Sequence, residues 1–225
     1  MKIPLVIIGD GLFADIAYEY FTHDSSYHVV AFSVDQDYLR SSKKFGLPVI
    51  PFNRLTEYFS DTATRPHFYA AITYGQLNRT RERFYREAKA MGFLAASYIS
   101  SNAFVWRNVV VGEHCFIFEN NTVQPFVILG DNVVLWSGNH IGHHSVIGNH
   151  VFVASQAVIS GNCRIGDHQF IGVNATLVND VALADDVLVG AGALVTRSVA
   201  TDQIAKGVAA TNVAGAKRYF KVEHE

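Results

Sequence analysis

Val127-Ile128-Leu129-Gly130-Asp131-Asn132-Val133-Val134-Leu135-Trp136-Ser137-Gly138-Asn139-His140-Ile141-Gly142-His143-His144-Ser145-Val146-Ile147-Gly148 repeats its pattern every six residues. Leu129, Leu135, Ile141 and Ile147 share one phase, and glycine directly follows three of them. Counted in hexads from Ala103 to residue 198, the third position is Val, Ile or Leu in all sixteen, whereas the other eighty positions hold fifteen such residues. A repeat of that length specifies a solenoid whose units each supply one short strand and one bend. Three hexads close one triangular coil, so residues 18 apart stack, and sixteen hexads make a little over five coils.

Residues 1–100 follow another rhythm. Apolar and β-branched runs at Ile3–Ile8, His28–Val34 and Phe68–Thr73 predict strands. Gly11–Phe21 and Asn78–Met91 predict helices, the second with Arg79, Arg81, Arg83, Arg86, Glu87 and Lys89 on its outer face. Strands alternating with helices imply a parallel, Rossmann-like α/β sheet the size of one mononucleotide-binding half. The expected division is an α/β domain over 1–100, an all-β solenoid over 101–215 and a tail over 216–225.

The chain has 225 residues, 49% of them hydrophobic and 17% charged, with a formal charge of −2. Such a chain buries a core, and its near-neutral balance argues against nucleic-acid or anionic-membrane partners. The start of the chain lacks a signal-peptide pattern, and no apolar run approaches the roughly 18–20 residues of a membrane span. A cytoplasmic protein is expected. The two cysteines, Cys115 and Cys163, lie eight hexads apart. Eight is not a multiple of three, so they belong to different faces and should be free thiols. Val109, Val127, Val133, Val151, Val181 and Val187 occupy first positions of hexads. They are expected to lie part-exposed on flat faces that packing between copies would cover.

Gly9-Asp10-Gly11-Leu12-Phe13-Ala14 is a G-x-G-x-x-A between a predicted strand and a predicted helix. Glycines there permit a sharp turn and bring a phosphate to the helix N-terminus. Asp35 follows 21 residues beyond Ala14, where an acid meets a ribose. A nucleotide-sugar site, a dinucleotide site and a purely structural turn all fit the motif. Asp10 should face away from a diphosphate, with Lys2, Arg79 and Arg81 as the cations that would offset it.

The hexad run, the segment Gly138–Gly148 and the following Ile159-Ser160-Gly161 resemble the left-handed parallel β-helix of the hexapeptide acyltransferases. More specifically, they are similar to bacterial nucleotide-sugar N-acetyltransferases of sialic-acid, protein-glycosylation and O-antigen pathways. Those enzymes also begin with a small Rossmann-like domain. The resemblance implies acetyl-CoA as co-substrate, with no metal, and a UDP-, dTDP- or GDP-linked amino sugar as acceptor. It implies a homotrimer with acetyl-CoA between neighbouring β-helices and the nucleotide sugar on the N-terminal domain, at Gly9, Gly11, Leu12, Phe13 and Asp35. His143 aligns with the family's general base, a role suited to imidazole. Gly161, Phe152 and Ala191 align with positions that meet the cofactor, Gly161 by offering a backbone N–H to the thioester oxygen.

Three features depart from the family. The sequence neighbours of His143 are Gly142 and His144, so no adjacent carboxylate orients the ring, and His144 is expected to point elsewhere along the bend. Phe152 stands where relatives have a second histidine. Gly207-Val208-Ala209-Ala210 replaces the usual Gly-x-Pro-Ala near the adenine end of CoA. His114, Asn132, His150, His168 and Asp186 form a column at 18-residue spacing, read as a hydrogen-bonded ladder. A zinc site there would lack a third ligand, since Ser155 falls at its place. O-acetylation of a sugar hydroxyl and a noncatalytic nucleotide-sugar-binding trimer remain alternatives to N-acetylation.

Overall fold

The computed structural model describes residues 2–209; the expected tail over 216–225 and Ala210 lie outside the described residues. Leu5, Val6, Ile7 and Ile8 are fully buried, as a central strand covered on both faces demands. This strand, β1 (Ile3–Ile8), pairs in parallel with β2 (Tyr27–Val34) on one side and with a strand at His67–Ala70 on the other. The strands β3 (Lys43–Lys44) and β4 (Leu47–Pro51) extend the sheet beyond β2, and His67–Ala70 is β5, giving the order β3-β4-β2-β1-β5. Only the β3–β4 pair is antiparallel. Helices α1 (Leu12–His23) and α3 (Arg79–Ala90) pack on this sheet, with a single turn, α2 (Leu55–Tyr58), between them. β4 and α2 carry little periodicity of their own, since both are short and contain or adjoin proline or aromatic residues. β5 ends at Ala70, three residues before the expected Thr73.

The remainder is a left-handed parallel β-helix. It begins at Tyr98–Ile99, which pairs with Phe116–Ile117, one hexad before the expected start at Ala103. Each strand is two residues long, and its second residue points inward; these residues form a continuous buried column from Ile117 to Val195. Every sixth residue from His114 to Gly192 has a positive φ, between 55° and 76°. Left-handed backbone is cheap for Gly and tolerable for Asn, Asp and His, which fill most of these corners. In the last coil the spacing shortens: Leu188 pairs with Ile204 and Leu183 bridges to Val199.

One expectation fails on side-chain direction. Val127, Val133, Val151, Val181 and Val187 are core residues, because the first hexad position turns inward beside the third. The apolar groups left on the free faces are instead strand-leading or corner residues, among them Phe104, Val110, Phe126, Ile128 and Leu194. One of the three faces is covered: Phe116, Val134 and Phe152 are buried beneath Phe13, Phe21 and other residues of the α/β domain. Cys115 and Cys163 are buried free thiols, and burial pushes the Cys115 thiol up to about 12.

Candidate functional site

The turn after β1 opens into a cavity of about 510 Å³ lined by Gly9, Asp10, Gly11, Leu12, Phe13, Asp35, Thr73 and Arg83, among others. Gly9 has φ +117°, and a Cβ there would press on the Ala71 carbonyl at 3.0 Å, so glycine is required. No side chain caps α1, whose first intrahelical bond is Ala14 N–H to Gly11 O. The N–H groups of Leu12 and Phe13 are thus available to an anion. The Phe13 ring is core, packed on Phe116 and Trp136, so only its backbone serves the cavity.

Asp35, at the end of β2, accepts a 2.5 Å bond from Arg83 Nη2. The cations at this mouth are therefore Arg83 and Lys44; Lys44 donates to Asp10 O and pairs with Asp15. Lys2, Arg79 and Arg81 are used elsewhere, on Thr22 O, Asp186 and the domain interface.

Arg81 corrects the picture of an all-outward charged face on α3. It is fully buried and reaches into the β-helix. Its Nε donates to Asn132 Oδ1 at 2.8 Å, Nη2 to Asn132 O at 3.1 Å, and Nη1 to Asn78 Oδ1 at 2.9 Å. Burial lowers its pKa to about 10. This donor orders the histidine column. Ala70 N–H can only donate, so His114 Nε2 accepts it at 2.8 Å, and His114 Nδ1–H must donate to Asn132 Oδ1 at 2.9 Å. Asn132 Nδ2 is left to donate to His150 Nδ1 at 2.8 Å, and the His150 Nε2 hydrogen points at Glu82, 3.4 Å away. His168 Nε2 meets the other Glu82 oxygen at 2.8 Å.

Glu82, His150 and His168 do bring ligand atoms within 4.8 Å of one another. A metal on His150 Nε2 would require Nδ1 to carry the hydrogen, against the Asn132 amide hydrogens. The donor set fits a ladder and opposes a metal. Burial lowers the pKa of His114 to about 3 and of His150 to about 4. Burial alone would raise Glu82, but the bond from His168 and the other cationic neighbours hold it below its ordinary value.

The third cluster lies on the edge between the two free faces, opposite the covered one. His143 is at the fifth place of its hexad, outside the left-handed corners, and exposed. Its ring rests on Gly161: a Cβ at Gly161 would lie 2.6 Å from His143 Cε1 and 2.7 Å from Nε2. Asn162 N–H bonds to His143 O at 2.8 Å and His143 N–H to Gln124 Oε1 at 2.9 Å, which fixes the bend. Among the described residues no hydrogen bond occupies the Gly161 N–H. His144 does not point elsewhere: its Nδ1 is 3.1 Å from His143 Nδ1.

Two of the expected cofactor residues lie apart from this edge. Phe152 leads a strand of the covered face and is buried among Tyr74, Trp136 and Phe170, because that hexad position points outward toward the α/β domain. Its ring has no free side for a thioester. Ala191 sits in a bend at the opposite border of the face that ends at Gly161, against Gly207, whose missing Cβ would strike Ala191 O.

The repeat model described as bacterial transferase hexapeptide (six repeats) matches residues 108–143 and 126–161. No curated protein matches the chain. Among solved structures, the acetyltransferase domain of PglB from Neisseria gonorrhoeae FA1090 matches with a TM-score of 0.80 and 22% identity, over 92% of this chain and 97% of that one. PerB from Caulobacter crescentus, solved in complex with CoA and GDP-perosamine, matches with a TM-score of 0.81 and 24% identity, over 91% and 94%. WeeI from Acinetobacter baumannii AYE matches at 0.69 and 23%, over 92% and 97%. The α/β domain followed by a left-handed β-helix is therefore an arrangement shared across nearly the whole chain.

Proposed function

We propose that the protein transfers the acetyl group of acetyl-CoA to the amino group of a nucleotide-linked aminodeoxy sugar. The observation that carries this reading is the His143 imidazole lying on Gly161, whose backbone N–H is unclaimed. A base and an oxyanion donor share one bend. The amine attacks the thioester carbonyl, the C–N bond forms, and the amine proton passes to His143 Nε2. The C–S bond then breaks, and the imidazolium returns that proton to the CoA sulfur, while Gly161 N–H bears the charge on the carbonyl oxygen. No metal has a place in this scheme. Support for the acceptor comes from the fold shared with PerB, which was solved with CoA and GDP-perosamine.

The nucleotide would occupy the cavity at Gly9, Gly11, Leu12, Phe13 and Asp35. That cavity belongs to the domain on the covered face, whereas His143 lies on the opposite edge of the same β-helix. One chain cannot close the site, so a homotrimer with His143 of one subunit facing the nucleotide domain of another is part of the proposal. On the free face that begins at the Gly161 bend, a cleft of about 610 Å³ lined by Arg164, Gly166 and Ala184 among others would accept part of CoA. Ala191 with Gly207 borders the other free face and would contribute from the neighbouring subunit of the trimer. Among the described residues no helix is long and apolar enough to cross a membrane. A cytoplasmic location suits both substrates.

A thiol-release assay with acetyl-CoA across UDP-, dTDP- and GDP-linked amino sugars, with the hydroxy sugars as controls, tests the reading. Release that requires the amino group supports it; release with hydroxy sugars alone assigns O-acetylation. No release from any acceptor, with retained nucleotide binding, assigns a binding protein.

A further inference from the structure

Consecutive residues on a bend ordinarily send their side chains apart, yet His143 Nδ1 and His144 Nδ1 lie 3.1 Å from each other. The left-handed backbone of His144, φ +61°, turns its ring back onto its neighbour. Only one hydrogen fits between two such nitrogens, so one ring donates and the other accepts. Eighteen residues earlier, Phe126 stacks on His144 with centroids 4.7 Å apart and planes at 23°. Phe126 itself holds φ +64°, in a row of corners otherwise filled mainly by Asn, Asp, His and Gly. A bulky aromatic residue there is strained, and such strain persists where the surroundings enforce it. Phe126 is 57% exposed, so burial does not account for its presence.

We propose that His144, seated by Phe126, is a positioning residue that selects the tautomer of His143. In the productive arrangement His143 Nδ1–H donates to His144 Nδ1, leaving a lone pair on His143 Nε2, the atom resting on Gly161. The other nitrogen of a histidine sets which one is basic. This rests on the reading of His143 as the general base. An imidazole at 144 can also donate, which would leave His143 Nε2 protonated and idle. An acceptor at the same place that cannot donate should therefore serve at least as well.

The test uses the full chain with acetyl-CoA and the best acceptor of the panel. His144→Gly keeps the left-handed corner and removes the acceptor; kcat should fall roughly 10- to 100-fold, the usual cost of losing a histidine's orienting partner, with KM little changed. His144→Asp and His144→Asn place an oxygen where Nδ1 stood and should restore kcat to within a few-fold, Asp at least as well as Asn. If the residue serves only the corner, Gly should be the best of the three. Phe126→Asn should preserve or raise Tm while lowering kcat several-fold, a pairing that a purely structural role does not give. Nitrogen-15 NMR of histidine-labelled protein should find His143 protonated on Nδ1 in the wild type and shifted toward Nε2 in His144→Gly. Unchanged kcat and tautomer in His144→Gly would overturn the proposal. If the wild type releases no thiol, the acetyltransfer reading fails instead, and the tautomer measurement still decides the pairing.

Discussion

His143 and His144 are sequence neighbours under different constraints. His144, like His114, His150 and His168, occupies a left-handed corner, a conformation that Asn, Asp and His tolerate. His143 is not at such a corner, and its identity calls for another reason. Replacing it with Asn should lower kcat by roughly 10²–10⁴, with binding of both substrates nearly unchanged, since the ring moves a proton and does not recognise either ligand. Isothermal titration beside turnover separates the two; equal losses in affinity and rate would count against a base. Gly161→Ala should cost as much, because the new Cβ would lie 2.6 Å from His143 Cε1 and expel the ring. Full activity in that variant would remove Gly161 from the site. At the other ligand, Asp35→Ala should weaken nucleotide-sugar binding and leave CoA binding intact; a loss of CoA affinity alone would misplace the nucleotide.

α1 joins the domains by aromatic packing on Phe116, and α3 joins them by polar contacts. The exposed face of α3 carries the ion pair Arg83–Glu87, worth little in water. Its buried side sends Arg81, Asn78 and Glu82 into the β-helix. Arg81→Met would leave Asn132 Oδ1 and several carbonyls short of a donor, a loss of about 3 kcal/mol. Chemical denaturation should show it; an unchanged midpoint would mean that water takes over the acceptors.

The ladder also sets a pH dependence. His114 and His150 have folded pKa values near 3 and 4, below the unfolded value of 6.5. The unfolded chain therefore binds more protons between these limits, and stability present above about pH 6.5 is lost as pH falls toward 4. Each histidine contributes a slope of about 1.4 kcal/mol per pH unit. Glu82, also lowered on folding, acts in the same direction at the acidic end. Melting curves that stay level from pH 7 to pH 4 would contradict the ladder.

At the scale of the whole molecule, the covered face and the His143 edge point away from each other. The cavity at Gly9–Phe13 stands with the first, His143 with the second, and a β-helix core separates them. Activity should therefore require association, and sedimentation should give a mass near three chains. A stable monomer that turns over would refute the intersubunit site. Mixing His143→Asn with Asp35→Ala protein should regain part of the lost activity, because some interfaces then receive both intact halves. Failure of the mixture, with subunit exchange demonstrated, would place both groups in one subunit.

The hexad phase by itself determined a solenoid of short strands and bends, since one residue must point inward at every sixth position; its left hand came from the family resemblance. The same spacing placed His143 beside Gly161 and kept the two cysteines apart. The βα turn at Gly9–Phe13 was equally legible, because Gly9 is demanded locally. Tertiary structure alone decided which of the three faces the α/β domain covers, and so turned Phe152 into an interface residue. It also drew Arg81 inward, although the charge pattern of α3 placed it on the outer face. Local periodicity fixes the direction of a side chain relative to its own element. What lies in that direction depends on contacts between distant segments, and no spacing within either segment encodes them.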